Sequence, residues 1–436
     1  MDDFRIEYDA PNAVYFPGQA VTGKVIIQNR EWIKARFLKI CIHGGAHTGW
    51  SDSERRSRTN TRGESESYTE TVHYNATVNY LTGESIAWSS QDGSNKLPAG
   101  TNVFPFAFSV PTNCPPSFEG CYGQIRYSVH VELDRPWKFN KKSKKFFSVV
   151  PAYDLNITPT AINPMINTAS KNTGFLLKKG LVTMTASLPK RGYVPGELVP
   201  ITINIDNGSK NPVVAVRSKM TQVSHYHASH GSHNVYATTH THHKNDEKCV
   251  AESRRNIEIA PRTKGQVVLS MKIPAIVPSF QCPIINVEYC ISVKVDTTTT
   301  FGGTLKVEFP LIIGTIPIRQ MMMGAAPAVM PPTVSPNAPP YPVVPGVPGA
   351  SVYPTAPSAP PASPGAIGAG APMMAGAAAV SAPTAPPPSY DESMYAGKSE
   401  DSEPFAPRYP VYNDLPPYSP PVNSAPAGPL PPKSGF

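Results

Sequence analysis

The fold is decided by the stretch Tyr15-Phe16-Pro17-Gly18-Gln19-Ala20-Val21-Thr22-Gly23-Lys24-Val25-Ile26-Ile27-Gln28-Asn29, because the chain writes it twice. It returns in altered form as Tyr193-Val194-Pro195-Gly196 and the residues running on to Asn207. At a constant offset of 178, Tyr15, Pro17, Gly18, Val21, Ile27 and Asn29 fall on Tyr193, Pro195, Gly196, Val199, Ile205 and Asn207. Further along the offset becomes 162: Pro116-Ser117-Phe118 falls on Pro278-Ser279-Phe280. At the same offset Tyr127, Val129, Val131, Leu133 and Asp134 fall on Tyr289, Ile291, Val293, Val295 and Asp296. A period of about 170 residues is too long for a solenoid and reads as a duplicated domain.

Inside the matched segments apolar and polar residues alternate. Tyr127, Val129, Val131 and Leu133 are interleaved with Arg126, Ser128, His130, Glu132 and Asp134, and Ile201-Thr202-Ile203-Asn204-Ile205-Asp206 repeats the pattern. Successive side chains of a strand point to opposite faces, so a period of two means strands that bury one face and wet the other. Pro-Gly pairs supply the turns, and no stretch of a dozen residues carries a helical period. The fold class expected is all-β: two tandem immunoglobulin-like antiparallel β-sandwiches followed by a disordered Pro-rich tail. The boundaries expected are residues 1–152 and 173–318 for the sandwiches, 153–172 for a polar linker, and 319–436 for the tail.

The tail is set apart by composition. Of 51 prolines, 30 lie in residues 321–436. Proline lacks the N–H donor and fixes φ, so such a stretch holds neither helices nor central strands. Charge divides the same way: the tail carries −3 of the net +8, leaving +11 on the first 320 residues. That favours acidic partners without choosing among them. The start, Met1-Asp2-Asp3-Phe4, lacks the apolar run of a signal peptide, and no apolar window reaches 18 residues. A cytoplasmic chain is expected, with its six cysteines as free thiols.

The residues carry a family resemblance. Tyr-x-Pro-Gly followed by a Val/Ile strand to Asn, then Val110-Pro111 and Gly123-Gln124-Ile125-Arg126-Tyr127-Ser128-Val129, resembles the N-terminal arrestin domain. The second copy, through Val199 to Ile273-Pro274 and Val287-Glu288-Tyr289, resembles the C-terminal arrestin domain. A tail bearing PPxY motifs is similar to that of the α-arrestins, the arrestin domain-containing proteins. Pro387-Pro388-Ser389-Tyr390 is a full PPxY and Leu415-Pro416-Pro417-Tyr418 fits the LPxY variant; Ala338-Pro339-Pro340-Tyr341 lacks the leading Pro or Leu. A polyproline II turn of three residues sets the first Pro and the Tyr on one side, where the aromatic groove of a WW domain can take them. Pro354-Thr355-Ala356-Pro357, running on into Pro357-Ser358-Ala359-Pro360, and Pro383-Thr384-Ala385-Pro386 look like the late-domain motif read by ESCRT-I. The resemblance implies partners: a Nedd4-family HECT ubiquitin ligase, an ESCRT-I subunit, and a membrane receptor or transporter as cargo. It implies peripheral work at the plasma membrane and endosomes, in sorting or in vesicle budding. Two rival classes share the fold, a sorting scaffold of the retromer-subunit kind and a phospho-receptor-binding arrestin without ligase recruitment. The first lacks PPxY tails, and no clathrin-box-like acidic Leu motif supports the second.

Two clusters stand outside this scheme. Residues 135–147 pack six cations, Arg135, Lys138, Lys141, Lys142, Lys144 and Lys145, among four aromatics. They read either as a surface for acidic lipid or an acidic partner, or as a strand pair with a solvated Lys face; no nucleic-acid module accompanies them. Seven of the eleven histidines lie between His225 and His243. His225 and His227 on one strand, facing His240 and His242, could hold a metal, but Gly231-Ser232 suggests an exposed hairpin tip, and no metal is expected. No phosphate loop, nucleophile elbow or Cys/His signature is present, so neither enzyme nor cofactor is expected.

Overall fold

In the computed structural model the described residues are 2–59, 61, 63–90, 93–173, 180–229, 241–298, 305–319, 389–392 and 405–415. Nearly every ordered segment is a strand, and the strands build two sandwiches. In the first, a sheet of Asp3–Tyr8, Ala20–Asn29 and Gly100–Ser109 faces one built from Phe37–Thr59, Ser65–Ser89, Gly123–Leu133 and Lys141–Val149. In the second, Met165–Thr173, Gly180–Leu188, Leu198–Asn207 and Thr263–Lys272 face Val213–Ser229, Thr241–Ile259, Ile285–Thr297 and Leu305–Ile313. A bridge between Ser229 and Asn75 joins the two larger sheets.

The residues that betrayed the duplication make the same contacts in each copy. Tyr15 pairs in parallel with Val149, and Tyr193 with Ile313, so each Tyr-x-Pro-Gly corner carries the chain from one sheet to the other. Gly18 and Gly196 take φ of 89° and 91°, a region that costs a side-chain-bearing residue roughly 1–2 kcal/mol. Their amides donate to Val110 and Ile273 carbonyls at 2.8 and 2.7 Å. The buried Tyr127 hydroxyl donates to the Pro115 carbonyl at 2.8 Å, and that of Tyr289 to Val277 at 2.7 Å. Asn29 and Asn207, both buried, turn their side-chain amides onto loop carbonyls.

Two expectations need adjustment. Residues 153–172 are not all connector: Met165–Thr173 is the edge strand of the second sandwich, in register with Gly180–Leu188. Only Met165 and Ala169 of that strand pack against the core, so its sequence shows too few apolar positions to announce a strand. Ahead of it lie two short 3-10 turns, Leu155–Ile157 and Pro159–Ile162, with Leu155 and Ala161 buried. The strand Gly123–Leu133 is also covered on both faces for much of its length, Arg126 and Ser128 being buried with the apolar set. Arg126 tolerates this because it forms a two-pronged pair with Glu119, at 2.6 and 2.8 Å. Burial pushes the Glu119 carboxyl up, while Arg126 pulls the other way.

Asn207→Ala should destabilise the second sandwich by about 2 kcal/mol, since it breaks a buried bond to the Ile259 carbonyl and part-buried ones to Asn211 and Ala260. The exposed Asn204→Ala, on the same strand, should change little. Chemical denaturation of both variants checks the difference.

Candidate functional site

Part of the stretch expected to be free tail lies against the sandwiches. Ser389–Glu392 and Arg408–Val411 pair antiparallel, with Ser389 opposite Val411, Tyr390 opposite Pro410, Asp391 opposite Tyr409 and Glu392 opposite Arg408. Residues 405–415 then run across the seam between the domains. Phe405, Tyr409, Val411 and Tyr412 are buried there. The physical reason is local: Phe405-Ala406-Pro407-Arg408-Tyr409-Pro410-Val411-Tyr412 is an apolar and aromatic island, and averaging composition over the whole tail hides it.

Each anchor meets a specific partner. Phe405 packs on Phe146, ring centroids 5.0 Å apart. Phe146 in turn lies under the guanidinium of Arg126, so the seat rests on the buried Arg126–Glu119 pair. The Arg408 amide donates to Ser148 Oγ at 2.9 Å. The Tyr409 hydroxyl donates to the Ser117 carbonyl at 2.9 Å; burial drives its pKa well up, so it stays a donor. The Tyr412 amide donates to the Pro195 carbonyl at 3.0 Å, and its hydroxyl to the Thr315 carbonyl at 2.8 Å. Its ring joins Leu155, Ala161 and Val194, with Leu415 half-buried beside them. Ser117 belongs to the first copy of the repeat, Pro195 and Thr315 to the second sandwich.

The sequence places these acceptors. Ser117, in Pro116-Ser117-Phe118, fixes its own turn by exchanging bonds with Val149: amide to carbonyl at 2.8 Å, and Val149 amide to Ser117 Oγ at 2.9 Å. That aims its carbonyl at Tyr409. At the second corner Glu197 is buried, paired with Lys190, and accepts the Val194 amide at 3.1 Å. Burial raises the Glu197 carboxyl and lowers the Lys190 ammonium, while their mutual attraction holds the pair. A Cβ on Gly196 would overlap the backbone of Tyr412, so the segment needs glycine there twice over, for φ and for space.

The cationic run is divided by the structure. Arg135, Lys138, Lys141 and Lys142 lie on or beside the turn between Gly123–Leu133 and Lys141–Val149. Trp137 and Phe139 stand 95% and 97% exposed at its tip. Trp137 has φ 65°, an uncommon conformation for so large a residue. Lys142 reaches Glu132 at 3.5 Å. Lys144 and Lys145 do other work: Lys144 lies over Phe146 at 4.7 Å, and Lys145 donates to the Ile6 carbonyl at 3.0 Å. Phe147 is in the core. Arg135, Lys138, Lys141 and Lys142 thus cluster about the tip, while Lys144, half-buried, and Lys145, still exposed, stand farther along the strand.

The described histidines do not gather as a ligand set. His227 faces His243, ring centroids 4.5 Å apart, while His225 meets Asn245 at 2.9 Å and His242 packs on Tyr74. His230, His233 and His240 lie outside the described residues. Among the described residues no group of three or more His, Cys, Asp or Glu could hold a metal. The described ones sit where the domains meet, beside a Lys244–Asp52 pair at 2.8 Å and a bond from Thr48 Oγ1 to the His227 carbonyl at 2.6 Å. Burial and the neighbouring His243 and His225 hold the His227 pKa down. All six cysteines are free. Pro354–Pro360, Pro383–Pro388, Pro416 and Tyr418 lie outside the described residues; of the two WW-type motifs only Ser389, Tyr390 and Leu415 are inside. No helix of the described residues is long and apolar enough to cross a membrane.

The geometry defines a two-sandwich head with a segment of its own chain laid along the seam between its domains. Comparison with known proteins supplies its family. The model described as arrestin (or S-antigen), N-terminal domain, matches residues 4–156, and the corresponding C-terminal domain model matches 178–318. The chain is 28% identical to arrestin domain-containing protein 17 of Caenorhabditis elegans over 95% of its own length and 99% of that protein's. It is 29% identical to arrestin domain-containing protein 4 of Mus musculus over 71% of this chain and 70% of the relative. With arrestin domain-containing protein 1 of Homo sapiens it shares 24% identity over 77% and 71%. The chain belongs to the arrestin domain-containing proteins, the α-arrestins, and its general role is that of a trafficking adaptor.

Proposed function

We propose that this chain couples membrane-protein cargo to a Nedd4-family HECT ubiquitin ligase and to ESCRT-I. The two arrestin domains grip a receptor or transporter. Pro387, Pro388 and Tyr390, with Leu415, Pro416 and Tyr418 as a second site, engage WW domains of the ligase. Pro354–Pro360 and Pro383–Pro386 engage the ESCRT-I subunit. Cargo is then ubiquitinated and sorted at endosomes or budded at the plasma membrane. The observation that carries this reading is the pairing of an arrestin head with a tail that holds both motif types. Several weak motifs on one chain raise the effective concentration for a ligase with several WW domains. Arg135, Lys138, Lys141 and Lys142, with Trp137 and Phe139 at the tip, set the head on an acidic membrane surface: the cations meet the headgroups and the rings enter the interface.

Tyr390→Ala combined with Tyr418→Ala should abolish binding of a recombinant ligase WW domain in titration calorimetry; unchanged affinity removes these sites. Pro357→Ala with Pro386→Ala should release the ESCRT-I subunit in a pull-down, and its retention would count against the late-domain reading. Lys138→Glu with Lys141→Glu should cut co-sedimentation with phosphatidylserine vesicles at least about tenfold, at roughly 1 kcal/mol per cation removed. Loss of Trp137 and Phe139 should lower it too.

A further inference from the structure

We propose that the seam between the two sandwiches is a binding site for an extended aromatic peptide whose resident ligand is Phe405–Leu415, and that filling it excludes WW domains from the Pro387–Tyr390 motif. The proposal rests on the WW reading above and adds its regulation.

The seam is a built site. It presents two buried carbonyls, of Ser117 and Thr315, at the positions where tyrosine hydroxyls arrive. A backbone carbonyl at Pro195 and the hydroxyl of Ser148 accept main-chain amides of the ligand, those of Tyr412 and Arg408. Apolar walls of Phe146 on one domain and of Leu155, Ala161 and Val194 on the other take the rings. Recognition thus asks for aromatics at relative positions one, five and eight, the last two with a hydroxyl, in an extended chain. Phe405, Tyr409 and Tyr412 meet that demand.

Exclusion follows from the strand pair. A WW groove takes its motif in the polyproline II form, with a backbone free of ladder bonds and one side open to the aromatic groove. With the segment seated, Ser389–Glu392 is a strand in register with Arg408–Val411, and Tyr390 lies opposite Pro410. A neighbouring strand sits about 4.8 Å away, too close for another domain to enter along that edge. Ser389 is tied further, since its hydroxyl donates to the Val411 carbonyl at 3.2 Å and accepts from the Asn413 amide at 3.3 Å. The second motif is held too, because its Leu415 packs against the Tyr412 cluster. A WW domain must therefore strip the pair, and its apparent affinity falls by the fraction of chains in which the segment is free. Anything that empties the seam, such as a cargo segment of the same chemistry, frees the motifs for the ligase.

The test uses one ligase WW domain as probe, titrated into the full chain, into the full chain carrying Tyr409→Ala and Tyr412→Ala, and into a synthetic peptide of residues 383–395. The expected result is affinity for the full chain weaker by about tenfold or more than for the variant, with the peptide matching the variant. Equal affinity for all three overturns the proposal and leaves the WW reading standing. No binding to the peptide overturns both. Tyr409 packs into the core that runs through the sandwiches, so Phe405→Ala, which removes the contact with Phe146 and lies outside that core, is the separate variant that guards against an effect of unfolding. Hydrogen exchange supplies a second readout. Saturating wild-type chain with the WW domain should speed exchange of the Arg408–Tyr412 amides, and unchanged protection would also overturn the proposal.

Discussion

Each sandwich depends on a corner where the chain leaves one sheet and joins the other. At that point the backbone must enter a left-handed conformation, and glycine does so without the strain a Cβ brings. Gly18 and Gly196 fill the role, and their amides reach back to Val110 and Ile273. The corner tyrosine, Tyr15 or Tyr193, is buried and pairs in parallel with the last strand of its own domain. One short turn thus ties residues far apart in sequence and closes the two layers on each other. The remaining strands add to a frame already shut.

The two corners are copies that have diverged. In the first, the Gln19 side chain accepts the Phe16 amide at 3.0 Å; in the second, Glu197 accepts the Val194 amide at 3.1 Å, with Lys190 buried beside it. Burying a charge pair is costly unless its geometry is satisfied, and losing one partner leaves an expensive orphan. The space above the turns differs as well. Above Gly18 the nearest atom to an added Cβ is Thr112 Cγ2, at an ordinary 3.6 Å, whereas Gly196 lies directly under Tyr412. Duplication made two equivalent corners, and only the second carries a roof.

That roof gives the adaptor a physical logic. A head that only gripped and a tail that only recruited would act independently. Here the segment that spans both domains lies along the chain between Tyr390 and Tyr418, and in the regulation proposed above the state of the seam reaches those residues through the backbone. A few aromatic anchors and hydroxyl-to-carbonyl bonds hold it; Tyr409 packs into the extended core that runs through both sandwiches, and Tyr412 into a small cluster of its own. The exposed Trp137 and Phe139 are a separate face, on the turn after Leu133.

The alternation of Tyr127, Val129, Val131 and Leu133 and the two Tyr-x-Pro-Gly corners were enough to determine an all-β duplicated head, because strand period and turn chemistry are local properties of the chain. The tail's linear motifs can likewise be listed from the sequence alone, as they are read in order along it. The edge strand Met165–Thr173 stayed hidden, since a strand with little buried surface has little apolar pattern to show. The pattern 135–147 could not reveal that Phe147 turns inward while Trp137 and Phe139 turn out, because Trp137 and Phe139 belong to the turn and Phe147 to the strand that follows it. Nor could spacing tell that Tyr409 and Tyr412 find the carbonyls of Ser117 and Thr315. Those acceptors are far away along the chain and are brought to one seam only when both sandwiches have folded and met, which is a property of three dimensions alone.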